Sequence, residues 1–138
     1  MENKITVVYL DVKSAAPMVA MEVEDSIEEY HKLIKCDCLD ITRRSVGDKL
    51  FCFIVDDMGL YDARCIVSAW TEKGVPALVG NLIIAGNVDK YGNLTSLTKK
   101  DVDLIMRHQV PVFRLEDDPY YAIEGVEGPN VWLCHKKK

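Results

Sequence analysis

Residues 49–63 read KLFCFIVDDMGLYDA, and 49–55 is apolar on both faces of an extended chain. A strand with one solvated face alternates apolar and polar residues. One covered on both faces does not, so 49–55 is the candidate central strand. Asp56 and Asp57 follow it and invite a metal or acid–base reading. Neighbours in an extended chain point to opposite faces, however, which is the wrong arrangement for two carboxylates serving one substrate. A calcium loop counted from Asp56 also needs a bidentate Glu at its twelfth position, where Val67 stands. An Asp followed three residues later by Gly is turn chemistry, and the spacing returns at Asp89 and Gly92. Asp56, Asp57, Gly59, Asp89 and Gly92 are therefore assigned to structural turns.

On the N-terminal side of this run, 36–44 (CDCLDITRR) alternates and reads as a strand with Leu39 and Ile41 facing the core. Before it the period becomes helical over 25–35, where Ile27, Tyr30 and Ile34 share a face. Ser26 with Glu29, or Asp25 with Glu28, can form a capping box, and Lys32 and Lys35 suit the last turn. Residues 4–12 and 17–23 read as strands, with Pro17 at a strand start or sheet edge.

On the C-terminal side, strands are expected at 65–69 and 81–88, a loop at 71–80, and a bulge or close backbone approach at Gly86. Thr98 as N-cap and Asp101 three residues on open a second helix over 98–109, before Pro111 biases Val110 out of helix. A last strand follows near VPVFRL. The pattern predicts an α+β domain over 1–115: a mainly antiparallel mixed sheet of five to seven strands with two helices packed on one face. Residues 116–138 are expected to form an appended hairpin or a loosely held tail.

The chain has 138 residues, 49% hydrophobic and 28% charged, with a net charge of −5, enough for one domain with a real core. This acidic balance gives no broad footprint for nucleic acid. No 18-residue apolar stretch offers a membrane span, and the start of the chain lacks a signal peptide's apolar core, so a cytoplasmic protein is expected. Cys36, Cys38, Cys52, Cys65 and Cys134 are odd in number and irregularly spaced, which fits free thiols. Zinc on Cys36 and Cys38 lacks a second ligand pair. His31, His108 and His135 stand in no nucleophile or metalloprotease motif, so no catalytic residue, metal or cofactor is assigned.

Residues for gripping a partner are better represented. Arg43, Arg44 and Arg64 form a candidate basic cluster, Tyr61, Trp70 and Tyr91 are flat anchors, and Asn81 follows Gly80 at a tight strand entry. Glu116, Asp117 and Asp118 supply a local acidic run suited to a basic surface.

Asp56, Asp57, Gly59 and Leu60, then Gly80 and Asn81, then Ser96, Leu97, Thr98 and Asp101 give 4–109 the order of a known pattern. In this the chain resembles a family of small proteins of unknown function from bacteria, phages, plasmids and conjugative elements. The resemblance implies no catalytic residues. It implies an accessory protein of a mobile element, in the host cytoplasm if phage-encoded. Together these readings predict a non-enzymatic inhibitor of a host protein effector, acting by protein binding in counter-defence or host modulation. The alternatives are a sponge for a small nucleotide signal and a metal-dependent hydrolase using Asp56 and Asp57. Homo-oligomerisation is compatible with each.

Overall fold

A computed structural model describes residues 4–35, 38–56, 66–113 and 118–128. Its strands are β1 (Lys4–Leu10), β2 (Val19–Glu24), β3 (Leu39–Val46), β4 (Lys49–Asp56), β5 (Val67–Trp70), β6 (Pro76–Val79), β7 (Leu82–Ala85), β8 (Gln109–Val112), β9 (Tyr120–Ile123) and β10 (Val126–Glu127). The helices are α1 (Ile27–Ile34) and α2 (Lys99–Met106). Six strands form one sheet in the order β10-β3-β4-β7-β1-β2, every neighbouring pair antiparallel. A second sheet runs β6-β5-β9-β8, with β5 and β9 parallel and its other pairs antiparallel. The architecture is the expected α+β class with a mixed, mostly antiparallel strand set.

The apolar character of β4 on both faces follows from the layers around it. Phe51, Phe53 and Val55 enter a cluster that the second sheet closes with Ala69, Leu78, Tyr120, Ala122 and Ile123. Cys52 and Ile54 point the other way, into a cluster closed by Tyr30 and Ile34 of α1. β7 divides likewise, Leu82 and Ile84 against Ile83 and Ala85. Each such large side chain, taken from water, contributes about 1.5–3 kcal/mol. Ile105 of α2 joins the cluster between the sheets. The two helices thus serve different clusters, α1 that of Cys52 and Ile54 and α2 that of Phe51 and Phe53.

Local chemistry sets the helix ends. Ser26, in extended conformation, accepts from the Glu29 backbone N–H at 3.2 Å, while the Asp25 carboxylate takes the Tyr30 hydroxyl at 2.5 Å. Of the two possible caps, Ser26 is the one used. Lys35 closes α1 in the left-handed region, φ 62°. Thr98 and Asp101 form a reciprocal capping box at the start of α2. That helix ends before 109 because Gln109 already pairs with Ile123 in β8.

Three expectations are corrected. Part of the expected loop 71–80 is strand β6, which Gly74 (φ 82°) turns back onto β5. Ile41 is 47% exposed: α1 packs over β4 and β7, and β10 pairs with β3 only at Ser45 and Val46. Residues 120–127 are no appendage either. β9 lies between β5 and β8 and buries Tyr120, Ala122 and Ile123, while β10 joins the larger sheet. Residues 129–138 lie outside the described residues. Gly86 is a close approach, its N–H donating to Thr95 O at 2.9 Å, and a Cβ there would stand 2.8 Å from that oxygen.

Candidate interaction surface

The β8–β9 hairpin shapes one end of the second sheet. The Glu124 N–H donates to His108 O at 2.9 Å. From that pair the antiparallel alternation makes 110–122 and 112–120 the hydrogen-bonded pairs, so the peptide groups of Gln109 and Pro111 face the edge of the sheet, which is open among the described residues. Proline is tolerated there because it has no N–H to leave unpaired. Tyr120 buries its ring and donates its hydroxyl to Val67 O at 2.7 Å.

The loop after β1 completes the surface. Asp11 accepts from the Lys13 N–H at 3.1 Å and is held by Lys35 at 3.1 Å. The Met18 N–H donates to the Gln109 side chain at 2.5 Å, tying the far end of the loop to β8. Between these anchors Ala15 takes a left-handed conformation, φ 59°, and lines a groove of about 360 Å³ with Pro111, Phe113, Asp118, Pro119 and Tyr121. A second hollow of about 330 Å³ shares Ala15, Asp118 and Pro119 and is bounded by Lys13 and Ile66. Phe113 is 77% exposed beside this apolar lining, and Asp118 supplies the acid of the wall.

Among the sequence-derived candidates, Asp118 lies in this groove and the other described ones are dispersed. Arg43 pairs with Cys52 and Arg44 with Phe51, so the two arginines point to opposite faces of the sheet. Arg43 is exposed; Arg44 is half-buried, its Nε donating to Thr42 Oγ1 at 3.2 Å, and burial lowers its pKa against the pull of Asp40. Trp70 packs against the inter-sheet cluster. Asn81 is buried and accepts from the Val12 N–H at 3.0 Å, which ties the start of β7 to the segment just after β1. Tyr91 is 76% exposed with Lys90 over its ring at 5.2 Å. Asp89 accepts from the N–H groups of Tyr91 and Asn93, and its carbonyl accepts from Gly92 N–H, in a turn with Gly92 at φ 86°. Asp56 is half-buried at the end of β4. Asp57, Gly59, Tyr61, Arg64, Glu116 and Asp117 lie outside the described residues.

A cleft of about 520 Å³ holds His108 with Glu72, Glu124 and Glu127. His108 Nδ1 is 2.9 Å from Leu104 O and Glu127 accepts from the Glu72 N–H at 2.7 Å, so backbone groups already engage two of these side chains. Among the described residues no group of three His, Cys, Asp or Glu side chains could hold a metal ion. Burial, and after it Asp11, pushes the Tyr9 phenol up to about 12, and its hydroxyl donates to Leu33 O at 2.6 Å, which is a packing role.

Sequence reasoning missed Ala15, Pro111, Phe113 and Pro119 as surface residues. The available signal was the density of proline and aromatic residues across 111–121, VPVF and then PYY. Their assembly depends on β9 entering the second sheet, which no periodicity encodes.

Fold and surface define a small α+β domain of two facing sheets with an apolar groove beside an open strand edge. Residues 5–109 match the family described as Domain of unknown function (DUF3846), and the chain belongs to that family. No curated protein and no solved structure matches it. The match ends at Gln109, so every groove residue except Ala15 lies beyond it. Among the described residues no helix is long and apolar enough to cross a membrane.

Proposed function

We propose that the protein is a non-enzymatic binding protein that docks on another protein through the Phe113 groove. In the phage or mobile-element setting that the family resemblance implies, it acts as an inhibitor of a host effector. The observation that carries this reading is Phe113, a phenyl ring 77% exposed at the rim of a groove lined by prolines and tyrosines. Scattered exposed apolar residues need no explanation, but one beside a preformed apolar groove offers a partner an anchor. Recovering that ring from water contributes about 1.5–3 kcal/mol to an interface. Asp118 in the wall, on a chain of net charge −5, favours a basic partner surface. The nucleotide-sponge alternative draws no comparable support, since Arg43 and Arg44 diverge across the sheet.

The test is affinity capture from a host extract with the full chain and with Phe113→Ala. A macromolecular partner held by the wild type and lost by the variant, with unfolding midpoints unchanged, supports the proposal. A partner that both retain, or a small ultraviolet-absorbing ligand released on heating with no protein partner, overturns it.

A further inference from the structure

We infer that the groove takes an extended, proline-containing segment carrying a lysine or arginine, held by side-chain packing rather than by strand addition. The inference rests on the protein-binding reading above and names the partner's chemistry.

The open edge of β8 would at first sight invite an added strand, the commonest use of an unpaired edge. Its outward-facing peptide groups belong to Gln109 and Pro111, and Pro111 has no N–H to give. The Gln109 side chain is already engaged by Met18. A ladder on this edge would therefore lack a donor at its centre, and the surface beside it must hold a ligand by other means.

That surface consists of flat apolar faces. Ala15, Pro111, Phe113, Pro119 and Tyr121 line the groove, with Asp118 the carboxylate among the described lining residues. A polyproline II segment matches such a lining: it makes no internal hydrogen bonds, has little conformational freedom left to lose, and presents prolyl rings to aromatic grooves. Its three-residue turn places every third side chain on one edge, so a basic residue there stays beside Asp118 while the prolines face the floor. Ala15 adds a structural sign. A left-handed alanine costs about 1–2 kcal/mol that a glycine would avoid, and Ala15 lines both hollows.

The experiment is an NMR titration of the full-length, isotope-labelled chain with a ten-residue proline peptide bearing arginine at every third position. The same peptide with glutamate in place of arginine is the control. Shifts should concentrate at Ala15, Val112, Phe113 and Asp118–Tyr121. Phe113→Ala should weaken binding about tenfold or more. Asp118→Asn should weaken it a few-fold and flatten its salt dependence. Both side chains are exposed, and unchanged unfolding midpoints will show that the variants remain folded. Absence of shifts at millimolar peptide, shifts centred elsewhere, equal binding of the glutamate peptide, or indifference to Phe113→Ala each overturn the inference. A partner captured through Phe113 while the peptide leaves these signals unmoved sinks this inference and leaves the protein-binding reading standing.

Discussion

Replacing Asp101 separates charge from capping at the joint between α2 and the β3–β4 hairpin. Asp101 is buried, its side chain 8% exposed; the carboxylate accepts from the Thr98 N–H at 2.9 Å as one half of the capping box and pairs with the Lys49 ammonium from the start of β4. Asp101→Ala removes all of this. Loss of a cap costs about 0.5–2 kcal/mol, and loss of the negative charge in the first helical turn about 0.3–1 kcal/mol. The Lys49 contact adds about 0.2–1 kcal/mol because that lysine is 53% exposed and partly screened. These contributions overlap, so we expect about 2–3 kcal/mol for Asp101→Ala and about 1 kcal/mol for Asp101→Asn, which keeps an acceptor for Thr98. Near this chain length 1 kcal/mol shifts Tm by roughly 3–5 °C.

The pH dependence has a definite sign. Burial alone would raise the Asp101 pKa, but the bonds from Lys49 and Thr98 outweigh it and hold the carboxyl below its ordinary range. A carboxylate with a lowered folded-state pKa contributes stability in full above its unfolded value, about 3.9, and loses it as pH falls through the folded one. The gap between wild type and Asp101→Asn, measured by urea denaturation, should therefore be constant from pH 5 to 7 and close below about pH 4. An Asp101→Ala loss under about 0.5 kcal/mol at pH 7, or an Asn gap that persists undiminished at pH 3, would refute the reasoning.

Ile123→Ala, at a fully buried position in β9, should cost about 2–5 kcal/mol by chemical denaturation; a loss under 1 kcal/mol would mean that 120–127 is dispensable to the core. Asn81→Leu strands the Val12 N–H and should cost about 1–3 kcal/mol, whereas Asn81→Asp keeps the acceptor and should cost less in the same assay. Gly86→Ala drives a methyl group against Thr95 and should lower stability by about 1–3 kcal/mol, with a drop in Tm as the readout. Phe113→Ala should change Tm by no more than a degree or two while abolishing partner capture, and a large Tm drop would assign the ring to the fold.

Much of the local structure can be read along the chain because its causes are local. The double-sided apolar run at 49–55, the Ser26 cap and the Thr98–Asp101 box are each decided within a few residues of sequence, and each takes the expected form. Ile41 shows the limit: its alternating segment is a strand as expected, yet whether its face is covered depends on how far α1 reaches across the sheet. β6 shows another, since four residues bounded by Gly74 and Gly80 gain strand geometry only from β5.

Sequence by itself determined the α+β class, the central strand and the helix caps, for these follow from periodicity and from hydrogen bonds between near neighbours. Only the tertiary structure decided that there are two sheets and that the C-terminal residues complete the second. It also decided that Ala15, Pro111, Phe113 and Asp118 meet at one groove. Pairing partners and shared surfaces join residues far apart in the chain, and the free energy that selects them comes from apolar area buried between whole layers, which no short window of sequence contains.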